Sequence, residues 1–418
     1  MALTAVKGFN DILPEESARW RHIEQTARRV FEQYGFGEIR VPVMEKTELF
    51  CRSIGDATDI VEKEMYTFVD KGENSVTLRP EGTAGVMRAF IEHKLYAQDP
   101  VARLYYMGPM FRYERPQKGR YRQFHQIGAE LTGVTDPLAD AQVLHMLTLF
   151  FREIGLSEPT LQINSLGCPD CRPAYRAALR SFLEERLGQL CDDCKRRSDT
   201  NPLRALDCKV PGCAEATIGA PSVLEHLCTG CHEHFTTVRH YLELSGTPYS
   251  INSRMVRGLD YYTRTTFEMV TGLLGSQSAV AAGGRYDGLI SQLGGPAIPG
   301  IGFAMGVERV ALLLGNQDFS TSPDLFIATM GQGERDLAFR LMDGLLKSGF
   351  RIEMDYEGKS LKSQMRRADK LKARYSVVIG ENEVTGGSAS FKRMNDGAKT
   401  ETALTVDGIV LLLSTTEL

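Results

Sequence analysis

Phe111-Arg-Tyr-Glu-Arg-Pro-Gln-Lys-Gly-Arg-Tyr-Arg-Gln-Phe124 is the stretch on which the reading of this chain turns. It is unusually rich in arginine, and Pro116 and Gly119 are turn residues. The segment predicts two strands joined by a loop over Arg115 to Arg122. Such a hairpin can offer guanidinium forks to phosphates, and Phe124 can offer a flat apolar face to a base. A solvated basic hairpin is the other reading of the same residues.

Outward from the hairpin, strands are predicted over Arg103 to Met110 and Phe124 to Leu131. Others are predicted around Met65 to Val69, Val76 to Leu78, Ser250 to Arg254 and Thr265 to Val270. Short polar turns join several of them, which favours an antiparallel sheet over a βαβ array. Upstream, Trp20, Ile23, Ala27, Val30, Phe31 and Tyr34 recur at helical spacing, so 15–34 reads as a helix ended by Gly35. Glu38-Ile-Arg-Val-Pro-Val43 follows as a strand, and Pro42 argues for an edge or interface position. Downstream, Gly300 to Leu314 reads as a strand running into an apolar helix. Gly302, Ala304 and Gly306 would let a ligand approach the backbone closely. Arg309 is costly there unless it pairs, for instance with Glu308, or faces a ligand.

The composition is that of a soluble enzyme. The chain has 418 residues, 42% hydrophobic and 24% charged, enough for two or three domains and a large core. A collagen-like, coiled-coil or disordered chain is excluded. The net charge of −4 argues against non-specific nucleic-acid binding, so any such contact must be local. No apolar run approaches the roughly 20 residues of a membrane helix, and Met1 to Val6 is too short for a signal peptide. A cytosolic, cytoplasmic location is expected, with no membrane partner.

Eight of the nine cysteines fall between Cys168 and Cys231. The texture over 168–245 changes from strands to cysteines, charges and two helices, around 172–188 and 222–244, and reads as an insertion. Cys168-x2-Cys171, then nineteen residues, then Cys191-x2-Cys194 is close to a four-thiolate zinc spacing. Cys208-x4-Cys213, then fourteen residues, then Cys228-x2-Cys231 repeats it, with His232 and His234 adjacent. One or two structural Zn²⁺ sites are expected, with plain reduced thiols as the alternative. After a polar linker over Gly315 to Pro323 the rhythm becomes strand (324–329), helix (334–347), strand (350–354), helix (359–373), strand (375–379). This is a small α/β domain. Seven Lys and Arg fall between Lys359 and Arg374 against the single acid Asp369, so one helix face can pack while the other meets solvent or phosphate.

In this order and spacing, the helix and strand with Pro42, the hairpin from Arg112 to Phe124 and the segment Gly302 to Leu314 resemble the three motifs of class II aminoacyl-tRNA synthetases. Arg257-Gly-Leu-Asp-Tyr-Tyr-Thr263 and Ala282-Gly-Gly-Arg-Tyr-Asp-Gly-Leu289 resemble the two motifs peculiar to the histidyl-tRNA synthetase family. Thr77-Leu-Arg-Pro-Glu-Gly-Thr-Ala84 and Gln123-Phe-His-Gln-Ile-Gly-Ala-Glu130 match the same family, and the resemblance covers essentially the whole chain.

The resemblance implies an α+β fold. An antiparallel-sheet catalytic domain over 1–323 would carry the helical insertion 168–245, and an α/β anticodon-binding domain would span 324–418. It also implies a homodimer and ATP-dependent ligation of L-histidine to tRNA(His) through a histidyl-adenylate, with Mg²⁺ on the outer phosphates. In its terms Arg112 binds the α-phosphate and the substrate carboxylate, Glu114 reads the adenine amino group and Phe124 stacks on the ring. Arg120 and Arg309 take the γ-phosphate. Arg257 is a fixed cation where related enzymes use a metal ion, and together with Arg112 it is the expected catalytic group. Positions matching Glu81 and Thr83 hold the substrate amino group, and those matching Glu130, Tyr261 and Tyr262 hold the imidazole. From the residues themselves, an imidazole with two N–H groups needs acceptors on opposite sides, which Glu81, Glu130 and Gln126 can supply. Glu81 capping the helix near Thr83 is the alternative. The rival readings are a non-catalytic paralogue serving as the regulatory subunit of ATP phosphoribosyltransferase, and a synthetase for another amino acid.

Overall fold

The computed structural model describes residues 3–55, 58–256, 261–274, 279–315, 317, 319 and 322–415. Arg257 therefore lies outside the described residues. The chain divides into two compact units, 1–318 and 319–418.

The first unit is built on an eight-stranded sheet. Its spatial order is Gly37–Glu38, Ala102–Phe111, Gln123–Thr132, Gly300–Gly306, Ala279–Arg285, Thr263–Val270, Thr160–Ser165, Tyr249–Ile251. The two outermost pairings are parallel and the inner five antiparallel. Ala102–Phe111 and Gln123–Thr132 form the long hairpin, with Phe111 opposite Gln123 and Leu104 opposite Glu130. Alternation along the strands sorts the side chains onto two faces. One face meets helices Pro14–Gln33, Pro137–Glu153 and Val307–Leu313, where Phe31 packs against Tyr105, Phe150 and Phe303. Asp136 caps the second of these helices by accepting from the Leu138 N–H at 2.8 Å.

Two expectations change. The predicted strand Glu38–Val43 pairs only at its start, and the chain then runs extended into a separate strand, Met44–Lys46. Pro42 has no N–H to continue a ladder. The small sheet so formed joins Met44–Lys46, Ser75–Leu78 and Tyr66–Val69. The predicted helix 222–244 is a short 3₁₀ turn, Val223–His226, followed by a helix over Thr229–Leu244. Cys228 is extended between them, at φ −67° and ψ 163°.

Between Thr160–Ser165 and Tyr249–Ile251 the described chain is helical, with helices Arg172–Glu184, Asp192–Thr200, Pro211–Ala216 and Thr229–Leu244. The first three surround a small core that includes Tyr175, Leu179, Leu183, Cys194, Cys213 and Val223. The second unit has a five-stranded mixed sheet in the order Ile352–Met354, Leu325–Thr329, Tyr375–Ile379, Ser388–Arg393, Lys399–Ala403. Its first three strands are parallel and its last two antiparallel. Helix Leu361–Lys370 packs Ala368 and Met365 against Phe326 and Ala328, while Lys362, Arg366 and Lys370 stay exposed.

Candidate active site

On the sheet face away from the long helices lies a cleft of about 320 Å³. Glu81, Thr83, Arg112, Glu114, Arg120, Phe124, Gln126, Tyr261, Tyr262 and Arg309 all line it. Small residues make the room. A Cβ on Gly302 would stand 1.8 Å from Glu130 Oε2, and one on Gly128 would stand 2.3 Å from the Tyr106 ring.

At the outer end Arg112 lies over the Phe124 ring at 5.3 Å and donates from Nε to the Pro80 carbonyl at 2.8 Å. The turn between the strands closes with a bridge from Gln117 to Arg120. Arg120 reaches Glu114 at 2.9 Å. Arg309 donates to the carbonyls of Gly119 at 3.3 Å and Ala279 at 2.5 Å. The expected alternative, an Arg309–Glu308 ion pair, is not what forms. Glu308 accepts from the His125 backbone at 2.9 Å, and its Oε1 lies 3.1 Å from His125 Nδ1. Burial first, and then the positive charge of Arg120, push the Arg309 guanidinium below its ordinary value. Clustered arginines of this kind favour an anionic ligand.

At the inner end Glu81 does two things. It accepts from the backbone N–H of Thr83 at 2.7 Å and of Ala84 at 2.9 Å, starting helix Thr83–Glu92, and it also faces the cleft. Glu130 stands behind the wall at 1% exposure. It accepts from the Thr83 hydroxyl at 2.7 Å and the Tyr286 hydroxyl at 2.6 Å. Burial pushes its carboxyl up to about 8 against those two hydrogen bonds, and burial also raises Glu81. Thr83 thus relays between Glu130 and the cleft. Gln126 Oε1 is buried with no hydrogen-bond partner among the described residues. A buried acceptor left open in a cleft points to a donor on a ligand. The Tyr261 and Tyr262 rings meet at a tilt of 51° with centroids 4.6 Å apart, and Tyr261 meets Tyr286 edge-on.

Sequence reasoning did not single out Glu268 or Tyr286. Glu268 lines the cleft from strand Thr263–Val270, and a lone acid between Phe267 and Met269 was the available signal. Tyr286 lay within a quoted motif, and its role depends on meeting Glu130. Its neighbour Arg285 points the other way, with no solvent exposure, and holds Asp140, which also pairs with His234 Nε2 at 2.8 Å.

The eight clustered cysteines form two groups whose sulfurs can share one ion each. The grouping differs from the spacing expectation. Cys168 and Cys171 meet Cys228 and Cys231, while Cys191 and Cys194 meet Cys208 and Cys213. The pairs are nested rather than sequential.

An antiparallel sheet with an arginine hairpin on two adjacent strands, and a glycine-lined strand running into a helix that carries Arg309, defines the catalytic unit of a class II aminoacyl-tRNA synthetase. The chain belongs to the histidyl-tRNA synthetase family, whose model matches residues 8–310, and an anticodon binding domain matches 324–410. A histidine–tRNA ligase of Pelobacter propionicus is 78% identical over 414 residues, 99% of this chain and 100% of that protein. One of Geobacter metallireducens is 73% identical over 402 residues, 96% and 97% of the two chains. The crystal structure of apo S. aureus histidyl-tRNA synthetase has a TM-score of 0.81 at 37% identity, covering 99% of this chain and 100% of that one. No helix among the described residues is long and apolar enough to cross a membrane.

Proposed function

We propose that this chain ligates L-histidine to tRNA(His) in two steps, with ATP consumed to AMP and diphosphate. The histidine carboxylate attacks the ATP α-phosphorus. One P–O bond forms, the bond to the β-phosphate breaks, and diphosphate leaves. A terminal ribose hydroxyl of the tRNA then attacks the acyl carbon and releases AMP. The open acceptor on Gln126, in the same cleft as Glu81, Thr83, Tyr261 and Tyr262, is the observation that supports histidine at the inner end. Arg112 would hold the α-phosphate and the substrate carboxylate, and Phe124 would stack under the adenine while Glu114 reads its amino group. Arg120 and Arg309 would meet the γ-phosphate. Arg257 is read as the further cation at the α-phosphate. The chemistry is positioning and charge neutralisation.

Mg²⁺ would enter on the outer ATP phosphates. It is an oxygen-seeking ion, and the carboxylate Glu268 in the lining fits it. It would neutralise phosphate charge there. The eight thiolates are a soft donor set suited to Zn²⁺ in a structural role, since no lining residue of the cleft is among them. For the tRNA, Arg172, Arg176, Arg196, Arg197 and Arg204 line a hollow that reaches Tyr262, a cationic path for phosphates into the cleft. The small sheet leaves Val43, Met44, Phe68 and Val69 exposed, which supports a homodimer through this surface. Location in the cytoplasm belongs to the same reading.

ATP–pyrophosphate exchange with each amino acid in turn tests the function. Exchange dependent on histidine alone is expected, and exchange with another amino acid or with none would overturn it. The regulatory-subunit reading is disfavoured by relatives more than 70% identical that are themselves ligases. Sedimentation at micromolar concentration should show about twice the chain mass, as a large shared interface requires.

A further inference from the structure

We propose that the outer cysteine group, Cys168, Cys171, Cys228 and Cys231, is a zinc clasp that sets the backbone carrying Tyr261 and Tyr262, with Arg172 as the positioning residue between them. The inner group, Cys191, Cys194, Cys208 and Cys213, holds only the insertion. The proposal rests on the zinc reading.

The sulfur geometry fits the ion. Four sulfurs about 2.3 Å from a tetrahedral zinc stand about 3.8 Å apart. The observed sulfur separations are 3.6 Å for Cys168 to Cys171, 3.8 Å for Cys168 to Cys228, 3.8 Å for Cys171 to Cys231 and 3.9 Å for Cys191 to Cys208. A disulfide would need about 2.05 Å. The Cys168 N–H donates to Cys171 Sγ at 3.1 Å, and the Cys191 N–H donates to Cys213 Sγ at 3.1 Å. Bonds of this kind stabilise ligating thiolates.

The two groups sit differently with respect to the cleft. The turn that leads into Cys168 is stitched to the strand that follows the tyrosines. The Leu166 N–H donates to the Arg264 carbonyl at 2.7 Å, and the Arg264 N–H donates to the Gly167 carbonyl at 2.8 Å. Arg172, the residue after Cys171, donates from Nε to the Leu166 carbonyl at 3.2 Å and from Nη2 to the Tyr262 carbonyl. Arg264 is held at φ +49°, a left-handed conformation that such a residue adopts only when its surroundings impose it. The Gly167 turn imposes it, and that turn is itself at φ +67° with no room for a side chain, since a Cβ would stand 2.6 Å from Cys171 Sγ. Zinc at the outer group therefore locks Cys171, the turn and Arg172 together beneath the tyrosines. The inner group has no hydrogen bond to 261–264 among those described.

The test uses the full chain purified without chelator. About two zinc ions per chain are expected. Cys228→Ser should lose one ion and raise the histidine KM in pyrophosphate exchange about tenfold, the scale of one charge-assisted hydrogen bond. Its ATP KM should stay within about twofold. Cys208→Ser should also lose one ion yet keep the histidine KM. Arg172→Gln retains all eight thiols and should keep both ions while raising the histidine KM about tenfold, with partial recovery in Arg172→Lys. Less than about half an equivalent of zinc, with the thiols freely titratable, overturns the zinc reading and the clasp with it. Zinc present but an unchanged histidine KM in Arg172→Gln overturns the coupling and leaves the zinc reading standing, and this variant decides the matter if Cys228→Ser does not fold. An equal rise in Cys208→Ser overturns the distinction between the two groups.

Discussion

The cleft and the insertion solve the problem of burying polar groups in opposite ways. Behind the cleft, Glu130 and Tyr286 sit fully buried, yet each is satisfied by a partner brought from a distant strand or helix. The large sheet, with Phe31, Tyr105, Phe150 and Phe303 packed on its far face, keeps that arrangement rigid. The insertion has no strand among its described residues, and its modest core is partly built from Cys194 and Cys213 themselves. A core so small gains little from apolar burial and stands to gain most from a cross-link. A large sheet can carry strained chemistry, while a small helical appendage needs a staple.

The comparison breaks most visibly if the cleft tolerates loss of its cation. Arg112→Ala should lower pyrophosphate exchange by about 10²- to 10³-fold, roughly 3 to 4 kcal/mol in the barrier, with thermal unfolding little changed. A few-fold loss would make Arg112 a structural residue. Gly302→Ala should be next, since its Cβ would strike Glu130 and the Ala129 carbonyl. About 3 kcal/mol of stability should be lost in denaturant titration, together with histidine affinity.

Glu130→Gln sharpens the point through pH. The native carboxyl holds its proton up to about 8, whereas the unfolded chain releases it near 4.5. The native state thus binds more protons across that window, and this contribution to stability is complete below 4.5 and lost as pH approaches 8. The ligand-free wild type should lose up to about 1.4 kcal/mol per pH unit between these limits, and the variant should lack that slope. The variant should also weaken histidine affinity while ATP affinity survives. Parallel stability curves for the two proteins would show that Glu130 is ionised in the native state. Smallest is the effect of a strong chelator on the sheet. Proteolysis should open within 185–228, while the main unfolding transition moves by less than about 3 °C. A collapse of the whole first unit would show that the insertion is no mere appendage.

Much of the site was legible because its residues are local signals. The arginines around a turn at Pro116 and Gly119, the glycines before Arg309 and the paired tyrosines each announce themselves within a dozen residues. Glu130 was legible as a pocket residue but not as one that acts from behind Thr83, because strand alternation gives the face and not the depth. Glu81 was weighed as a ligand group or a helix cap, and it accepts from two helix N–H groups while lining the cleft. The Glu308–Arg309 pairing was a reasonable neighbour contact, but adjacent helix residues point apart, and His125 from the next strand was nearer.

From the sequence alone came the order of elements, the arginine hairpin and the cluster of eight cysteines, because these are periodicities and spacings of a few residues, and the family came from the resemblance of its motifs. Which cysteines come together in one group was decided only by the fold. Thr160–Ser165 and Tyr249–Ile251 lie side by side in parallel, so the chain must cross from the end of the first strand back to the start of the second, and helix Thr229–Leu244 leads into that return. The N-terminus of that helix, with Cys228 and Cys231, meets Cys168 and Cys171 just beyond the first strand, and the inner four cysteines are left to meet one another. Spacing determines which thiolates are close within a loop, whereas the meeting of pairs some sixty residues apart is set by the crossover that a parallel strand pair requires.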